Sequence, residues 1–260
     1  MELLGTLSPP WWLLLLLLLG LLIWLRRRSP WDPRKCPTDL TGKTVIVTGA
    51  NSGIGKCVAM DLARRNARTI LACRSRERGQ AAVEEIQAAT GNPAVVLRLL
   101  DTSSLASVRA FASAVLREEP RLDVLVNNAG VTGLPFTITS EGLEQTFTTN
   151  YLGPFLLTNL LLGVTVNAIS PGVVNTGIMR HFSYTVRAVF SLFRPFMKSA
   201  EQGAASTIFC AVSEEAEGIS GKYFDSNCRL SLPSEAARDT ALARKLWEAS
   251  ERLTGLTKQD

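Results

Sequence analysis

A short β-branched run, Thr44-Val45-Ile46-Val47, leads straight into Thr48-Gly49-Ala50-Asn51-Ser52-Gly53-Ile54-Gly55, and an amphipathic stretch from Lys56 to Asn66 follows. Strand, glycine turn and helix in immediate succession leave few architectures open. Glycines let the chain turn tightly and bring its backbone close to a pyrophosphate, and the helix N-terminus then offers unpaired N–H groups to that anion. The unbroken apolar character of the strand suits a parallel sheet buried on both faces. The spacing is Gly-x-x-x-Gly-x-Gly, not the Gly-x-Gly-x-x-Gly of the general dinucleotide fingerprint. Gly42-Lys43-Thr44 is not a triphosphate-binding loop, because Pro37 stands where the first glycine is needed.

The alternation continues. A second strand, Thr69 to Cys73, ends at Arg74, and a third, Val95 to Leu100, ends at Asp101-Thr102. A helix from Ser104 to Leu116 precedes Val124-Leu125-Val126, which runs into Asn127-Asn128-Ala129-Gly130. The pattern predicts an α/β fold, a Rossmann-type doubly wound parallel sheet. An arginine after the second strand accommodates a 2′-phosphate, where an acid holds the free ribose hydroxyl of NAD, so Arg74, with Arg76 beside it, favours NADP(H). The plainer alternative is a solvated arginine at a strand end.

Composition removes several classes. With 260 residues, 46% of them hydrophobic, the chain can bury one sizeable core. Of the 28 basic and 23 acidic side chains, five and three fall in residues 1–40, leaving 23 against 20 beyond them. No basic patch interleaved with stacking aromatics stands out, so nucleic acid is not an expected partner. One histidine, His181, provides no zinc ligand set, and no metal is expected. Five scattered cysteines without a CxxC pair fit a reducing compartment.

The glycine motif, Asp101-Thr102 and Asn127-Asn128-Ala129-Gly130, in that order, resemble the short-chain dehydrogenase family. Leu71-Ala72-Cys73-Arg74, the helix starting Ser107-Val108-Arg109-Ala110-Phe111-Ala112, Gly153-Pro154-Phe155-Leu156-Leu157-Thr158 and Ile219-Ser220-Gly221-Lys222-Tyr223-Phe224 are similar to its retinol dehydrogenase-like subgroup. The resemblance implies interconversion of retinoids or other lipid aldehydes with their alcohols, using NADP(H), at the cytosolic face of internal membranes. It implies cofactor contacts from Gly49, Asn51, Ser52, Gly53, Ile54, Gly55, Arg74, Asp101, Thr102, Asn128, Ala129 and Gly130. Further along it adds the Pro171-Gly172 turn and Thr176 near the nicotinamide.

The family's catalytic set departs from this chain. It uses a tyrosine as general acid or base, a lysine four positions on that lowers its pKa, a serine on the preceding strand, and an asparagine holding a water. Asn150 matches the asparagine. The tyrosines are Tyr151, Tyr184 and Tyr223, followed four positions on by Phe155, Ala188 and Asn227, so Tyr-x-x-x-Lys does not occur. A helix from Tyr151 to Leu162 passes through Gly163 into Val164-Thr165-Val166-Asn167-Ala168-Ile169-Ser170-Pro171-Gly172, which resembles the family's sixth strand and Pro-Gly turn. The intervening strand and helix, on the order of 60–80 residues, are missing near 163/164. The expected sheet is therefore shortened by about one strand and one helix. Either the strand at Val164 moves beside the one at Val124, or a sheet edge and two helix faces lose their cover. Tyr184 lies in the following loop, but a phenol with a pKa of about 10 and no neighbouring cation is a poor acid–base catalyst.

At the other end, Trp11 to Leu25 is continuously apolar and Arg26-Arg27-Arg28 follows it. A cleaved signal peptide carries its charge before the apolar run and small residues after it; here the order is reversed, which favours an uncleaved anchor with the domain in the cytosol. Residues 1–28 are thus read as anchor and basic flank, 29–41 as an extended proline-bearing linker, 42–232 as the NADP(H)-binding domain, and 233–260 as a C-terminal helix. Residues 177–200 carry no acid but four cations and four phenylalanines; a substrate lid, a membrane contact and a plain covering loop all remain open. The implied partners are membrane lipid, a retinoid or lipid aldehyde, and a second chain in a homo- or hetero-oligomer. Three readings of function compete: an active retinoid oxidoreductase, a catalytically impaired NADP(H)-binding membrane protein at the endoplasmic reticulum, and an unstable splice or deletion product.

Overall fold

The run at Thr44 becomes the strand around which the main sheet is assembled. In the computed structural model, which describes residues 11–27, 31–161 and 165–256, β1 (Thr44–Thr48) is buried along its whole length. Parallel neighbours β2 (Arg68–Cys73) and β4 (Val124–Val126) flank it, and β3 (Val95–Leu99) lies beyond β2, giving the order β3-β2-β1-β4. Each expected strand up to β4 is present within a residue of its predicted bounds.

Both faces of this sheet are covered, as parallel pairing requires. Val45, Val47 and Leu71 point into one core with Val58 and Leu62 of α2 (Gly53–Arg64), Ile86 of α3 (Arg76–Thr90), and Ala204 and Ile208 of α8 (Ala200–Val212). Ile46 and Ile70 point the other way, onto Val108 and Phe111 of α4 (Leu105–Glu118) and Leu156 and Leu157 of α6 (Gly153–Leu160). At 25 cal/mol per Å², each such fully buried aliphatic side chain stabilises by about 1.5–3 kcal/mol, so the two cores hold the halves of the sandwich together. The helix expected from Tyr151 starts earlier: α5 (Gln145–Phe147) passes through a π-helical turn, Thr148–Leu152, into α6.

The sheet does not close over the junction. Residues 162–164, where the missing block was inferred, lie outside the described residues. Beyond them β5 (Ala168–Ile169) pairs with β6 (Tyr223–Phe224) and not with β4, and β7 (Leu230–Ser231) completes a separate three-stranded sheet. Of the two alternatives, the strand therefore does not move to the side of Val124. Packing on α8 decides it: Ser206 Oγ donates to Ser170 O at 3.3 Å, and the Phe209 and Phe224 rings lie 5.7 Å apart. β4 consequently has β1 as its one strand neighbour among the described residues.

The segment read as a linker lies on the domain. Arg65, 9% exposed, donates to the carbonyls of Pro33, Cys36 and Thr38 at 2.7–3.1 Å, while Trp31 meets Phe209 edge-on at 5.3 Å. The prolines start a 3-10 turn at Pro33–Lys35 instead of an extended run, because Pro33 at its first position has no N–H to lose and Asp32 caps it. Ahead of this segment α1 (Trp11–Arg27) is helical, about 26 Å long at 1.5 Å per residue, with Trp11 to Leu21 exposed. No described helix is long and apolar enough to cross a membrane.

One ionic cluster ties the sheet to α4. The Glu119 carboxylate, 2% exposed, accepts from Arg68 at 2.6 and 2.8 Å and from Arg98 at 2.9 Å. The Arg68 hydrogen bonds hold its pKa below the usual carboxylate range against the opposing effect of burial. A depressed carboxylate contributes stability above its unfolded pKa and loses it as the pH falls through the folded value. Urea midpoints are thus expected to drop below about pH 4.5 in the native chain. Glu119→Ala is expected to cost about 2 kcal/mol at pH 7, the partly exposed arginines reducing the penalty, and to flatten that acid limb. An unchanged acid limb in the variant would remove Glu119 from this role.

Candidate nucleotide-binding site

The C-terminal ends of β1, β2, β3 and β4 open onto one cleft of about 200 Å³. Its floor is the glycine turn. Gly49 sits at φ +65°, and a Cβ there would lie 2.9 Å from Ala129 Cα. A Cβ on Gly55 would lie 2.3 Å from Asn128 Nδ2 and 2.8 Å from the Gly49 carbonyl, so a side chain at either position would push the turn away from the β4 loop. Thr48 fastens the same loop: its Oγ accepts from the Asn128 and Ala129 N–H groups at 3.0 and 2.9 Å, and its carbonyl accepts from Asn128 Nδ2 at 2.9 Å.

Gly49, Asn51, Ser52, Gly53, Ile54, Arg74, Asp101, Thr102, Asn128, Ala129, Gly130 and Thr176 all line this cleft. Gly55 lies behind the wall, under Asn128. Pro171 and Gly172 do not line it: their turn went with the second sheet, where Gly172 packs against Ser226. Ser52 is the N-cap of α2, yet its hydroxyl makes no capping bond, so both it and the first helical N–H groups are available to an anion. Asp101 accepts from the N–H and hydroxyl of Ser103, which fixes its carboxylate at the cleft wall.

Sequence reasoning missed Arg78 and Arg180. Arg78 lies in the first turn of α3, four positions after Arg74, and Arg180 follows Thr176 by four positions in a 3-10 turn, Gly177–His181. A search for cations at helical spacing from the chosen residues finds both. Arg74, Arg78 and Arg180 pair with no carboxylate among the described residues, while the Arg68 and Arg98 ion pairs show what a structurally committed arginine looks like here.

The catalytic side is different. Asn150 lies in the π-helical turn, and both ends of its amide are engaged by Val131: Oδ1 accepts from the N–H and Nδ2 donates to the carbonyl, each at 2.8 Å. It thereby holds the loop after Gly130. Tyr151 shares a 2.9 Å hydrogen bond with Ser250 of α9 (Thr240–Thr254) and stacks between Phe147 and Phe155. Tyr184 is 83% exposed, and Tyr223 belongs to β6. Lys198 donates to Ser226 O at 2.6 Å, and burial lowers its pKa. Neither tyrosine nor lysine lines the cleft. Burial pushes the Cys73 thiol up to about 11 and Cys210 up to about 12, which keeps both protonated and unreactive.

A doubly wound sheet with a glycine-rich strand–helix turn at its carboxyl edge defines a dinucleotide-binding protein. Residues 43–163 match the short chain dehydrogenase family. The chain is 36% identical to retinol dehydrogenase 12 from Bos taurus over 85% of its own length and 90% of that protein, and 39% identical to retinol dehydrogenase 13 from Mus musculus over 85% and 87%. A solved structure of an uncharacterised protein from Mycobacterium Paratuberculosis superposes with a TM-score of 0.65 at 28% identity, covering 86% of this chain and 97% of that one. The chain belongs to the short-chain dehydrogenase family, in its retinol dehydrogenase-like branch.

Proposed function

We propose that this chain is an NADP(H)-binding, membrane-attached member of that branch whose cofactor half is assembled and whose hydride-transfer machinery is not. The observation that carries the reading is the cleft itself, with a glycine cradle and three arginines free of carboxylates but no tyrosine or lysine. The residues fit a nicotinamide nucleotide. Gly49, Ser52, Gly53 and Ile54 receive its pyrophosphate at the start of α2, Arg74 and Arg78 receive a 2′-phosphate, and Asp101 with Thr102 borders the adenine. When bound, the nicotinamide would give a hydride to a carbonyl carbon or, in the reverse direction, accept one from an alcohol carbon. Asn150, through Val131, keeps the cleft wall in place; no described side chain in the cleft moves the accompanying proton.

Support for a missing block comes from the alignment to the cow protein. It runs over 285 positions but takes in 85% of 260 residues, about 221, so about 64 positions have no counterpart in this chain. The apolar run and the arginines after it support attachment to an endoplasmic reticulum membrane with the domain on the cytosolic side. In the competing reading the chain is an unstable deletion product, and the single strand partner of β4 favours it.

Nucleotide-dependent melting of the full chain in detergent micelles separates the two. Saturable stabilisation by NADPH, by about 2.7 kcal/mol at a hundredfold excess over the dissociation constant, is expected. Absence of a cooperative melt, with or without nucleotide, would leave only the unstable product.

A further inference from the structure

Helix α7 (Tyr184–Leu192) has no buried residue, and the Arg194–Phe196 turn continues it. Val186, Val189, Phe190 and Phe193 fall at the spacing of one helix face and are all exposed; Leu192 and Phe196 beside them are 74% and 52% exposed. Nine residues make a marginal helix in water, and most helices of this length draw their stability from an apolar face packed on something else. No residue of this face reaches the buried state, so a large part of its apolar surface is left open to water.

Charge identifies the cover. Residues 177–200 contain no aspartate or glutamate. Arg187 and Arg194 are exposed and pair with no carboxylate among the described residues, whereas Arg180 lines the cleft and Lys198 is held by Ser226. A second copy docked through the same face would bring four arginines together without an acid between them, which opposes a symmetric dimer there. A bilayer bearing anionic headgroups satisfies both demands, taking the phenylalanines at the acyl boundary and the guanidinium groups at the phosphates. We infer that α7 and the turn after it form an interfacial element that lies on an anionic lipid surface, distinct from the N-terminal α1. The turn that precedes α7 lines the cleft, so the lipid surface sits beside the cleft rim.

The test is amide hydrogen exchange over residues 184–196 of the full chain in nanodiscs of phosphatidylcholine alone or with phosphatidylserine. Exchange is expected to be about tenfold or more slower in the anionic discs, and Arg187→Gln with Arg194→Gln to reverse this by about fivefold per charge. Val189→Ser with Phe193→Ser, both at exposed positions, should abolish the difference while β1 amides stay protected. Equal exchange in the two disc types, whether fast or slow, overturns the inference. So does protection that rises with protein concentration whatever the lipid, which would make a second chain the cover.

Discussion

Given NADPH and retinaldehyde, the full chain is expected to turn over at least about 10⁴-fold more slowly than mouse retinol dehydrogenase 13 assayed beside it, since a positioned general acid contributes about 10²–10⁴ and a polarising donor about 10²–10³. The two do not simply multiply, because groups that act as a unit are lost together. The structural ground is that the three tyrosines are all accounted for elsewhere. Tyr151 is locked between two rings and bonded to Ser250, Tyr184 projects into solvent, and Tyr223 pairs in the second sheet. None of the three lines the cleft, so none is placed to pass a proton to a carbonyl held at the nicotinamide. Any residual rate should be indifferent to Tyr184→Phe. Turnover within roughly a hundredfold of the relative would mean that a proton donor reaches the nicotinamide by another route, and the reading of lost catalysis would fall.

The second large effect concerns the phosphate that distinguishes the two cofactors. Arg74→Ala combined with Arg78→Ala is expected to weaken NADPH by about 10–100-fold, from charge-assisted hydrogen bonds of about 1.5–3 kcal/mol, and to leave NADH within about twofold. Both side chains are exposed at the cleft, so salt screens part of this and the contrast should shrink as ionic strength rises. Neither residue supports the core; the variant should melt as the parent does without nucleotide. Titration by NADPH fluorescence reads the outcome. Equal weakening of both nucleotides would mean that the arginines act on the shared pyrophosphate, and that the 2′-phosphate is recognised elsewhere.

These two expectations rest on different kinds of information. The cofactor half was legible in the sequence because its signals are local: β-branched runs, a glycine turn and helix-capping residues are each written in a few adjacent positions. Eleven of the residues chosen for the cleft meet there because parallel strands deliver their C-terminal loops to one edge, and Thr176 joins them from the segment after β5. Gly55 was chosen for the right turn but serves by letting Asn128 approach, a close contact between the first turn of α2 and the loop after β4, 73 positions apart in the chain. Arg180 stands at helical spacing from Thr176, but that spacing alone does not tell which way the covering segment folds back, and the tertiary structure is what brings it to the cleft.

The absence of Tyr-x-x-x-Lys was a fact of the sequence alone, and no fold could restore it. What the chain does with the gap was a tertiary decision. Pro171 and Gly172 were expected at the nicotinamide, yet the strand before them follows α8 and pairs with β6, because the buried Phe209 and Phe224 contacts hold it there while β4 provides only three residues of edge. The proline-bearing stretch at 31–41 shows the same division. Its composition speaks for an extended tether, but Arg65, buried and paired with the half-buried Asp61, needs further acceptors, and the carbonyls of Pro33, Cys36 and Thr38 supply them. Periodicity and turn residues determine which elements form. Which of them share a core depends on burial and on satisfying buried charge, and those are properties of the assembled chain.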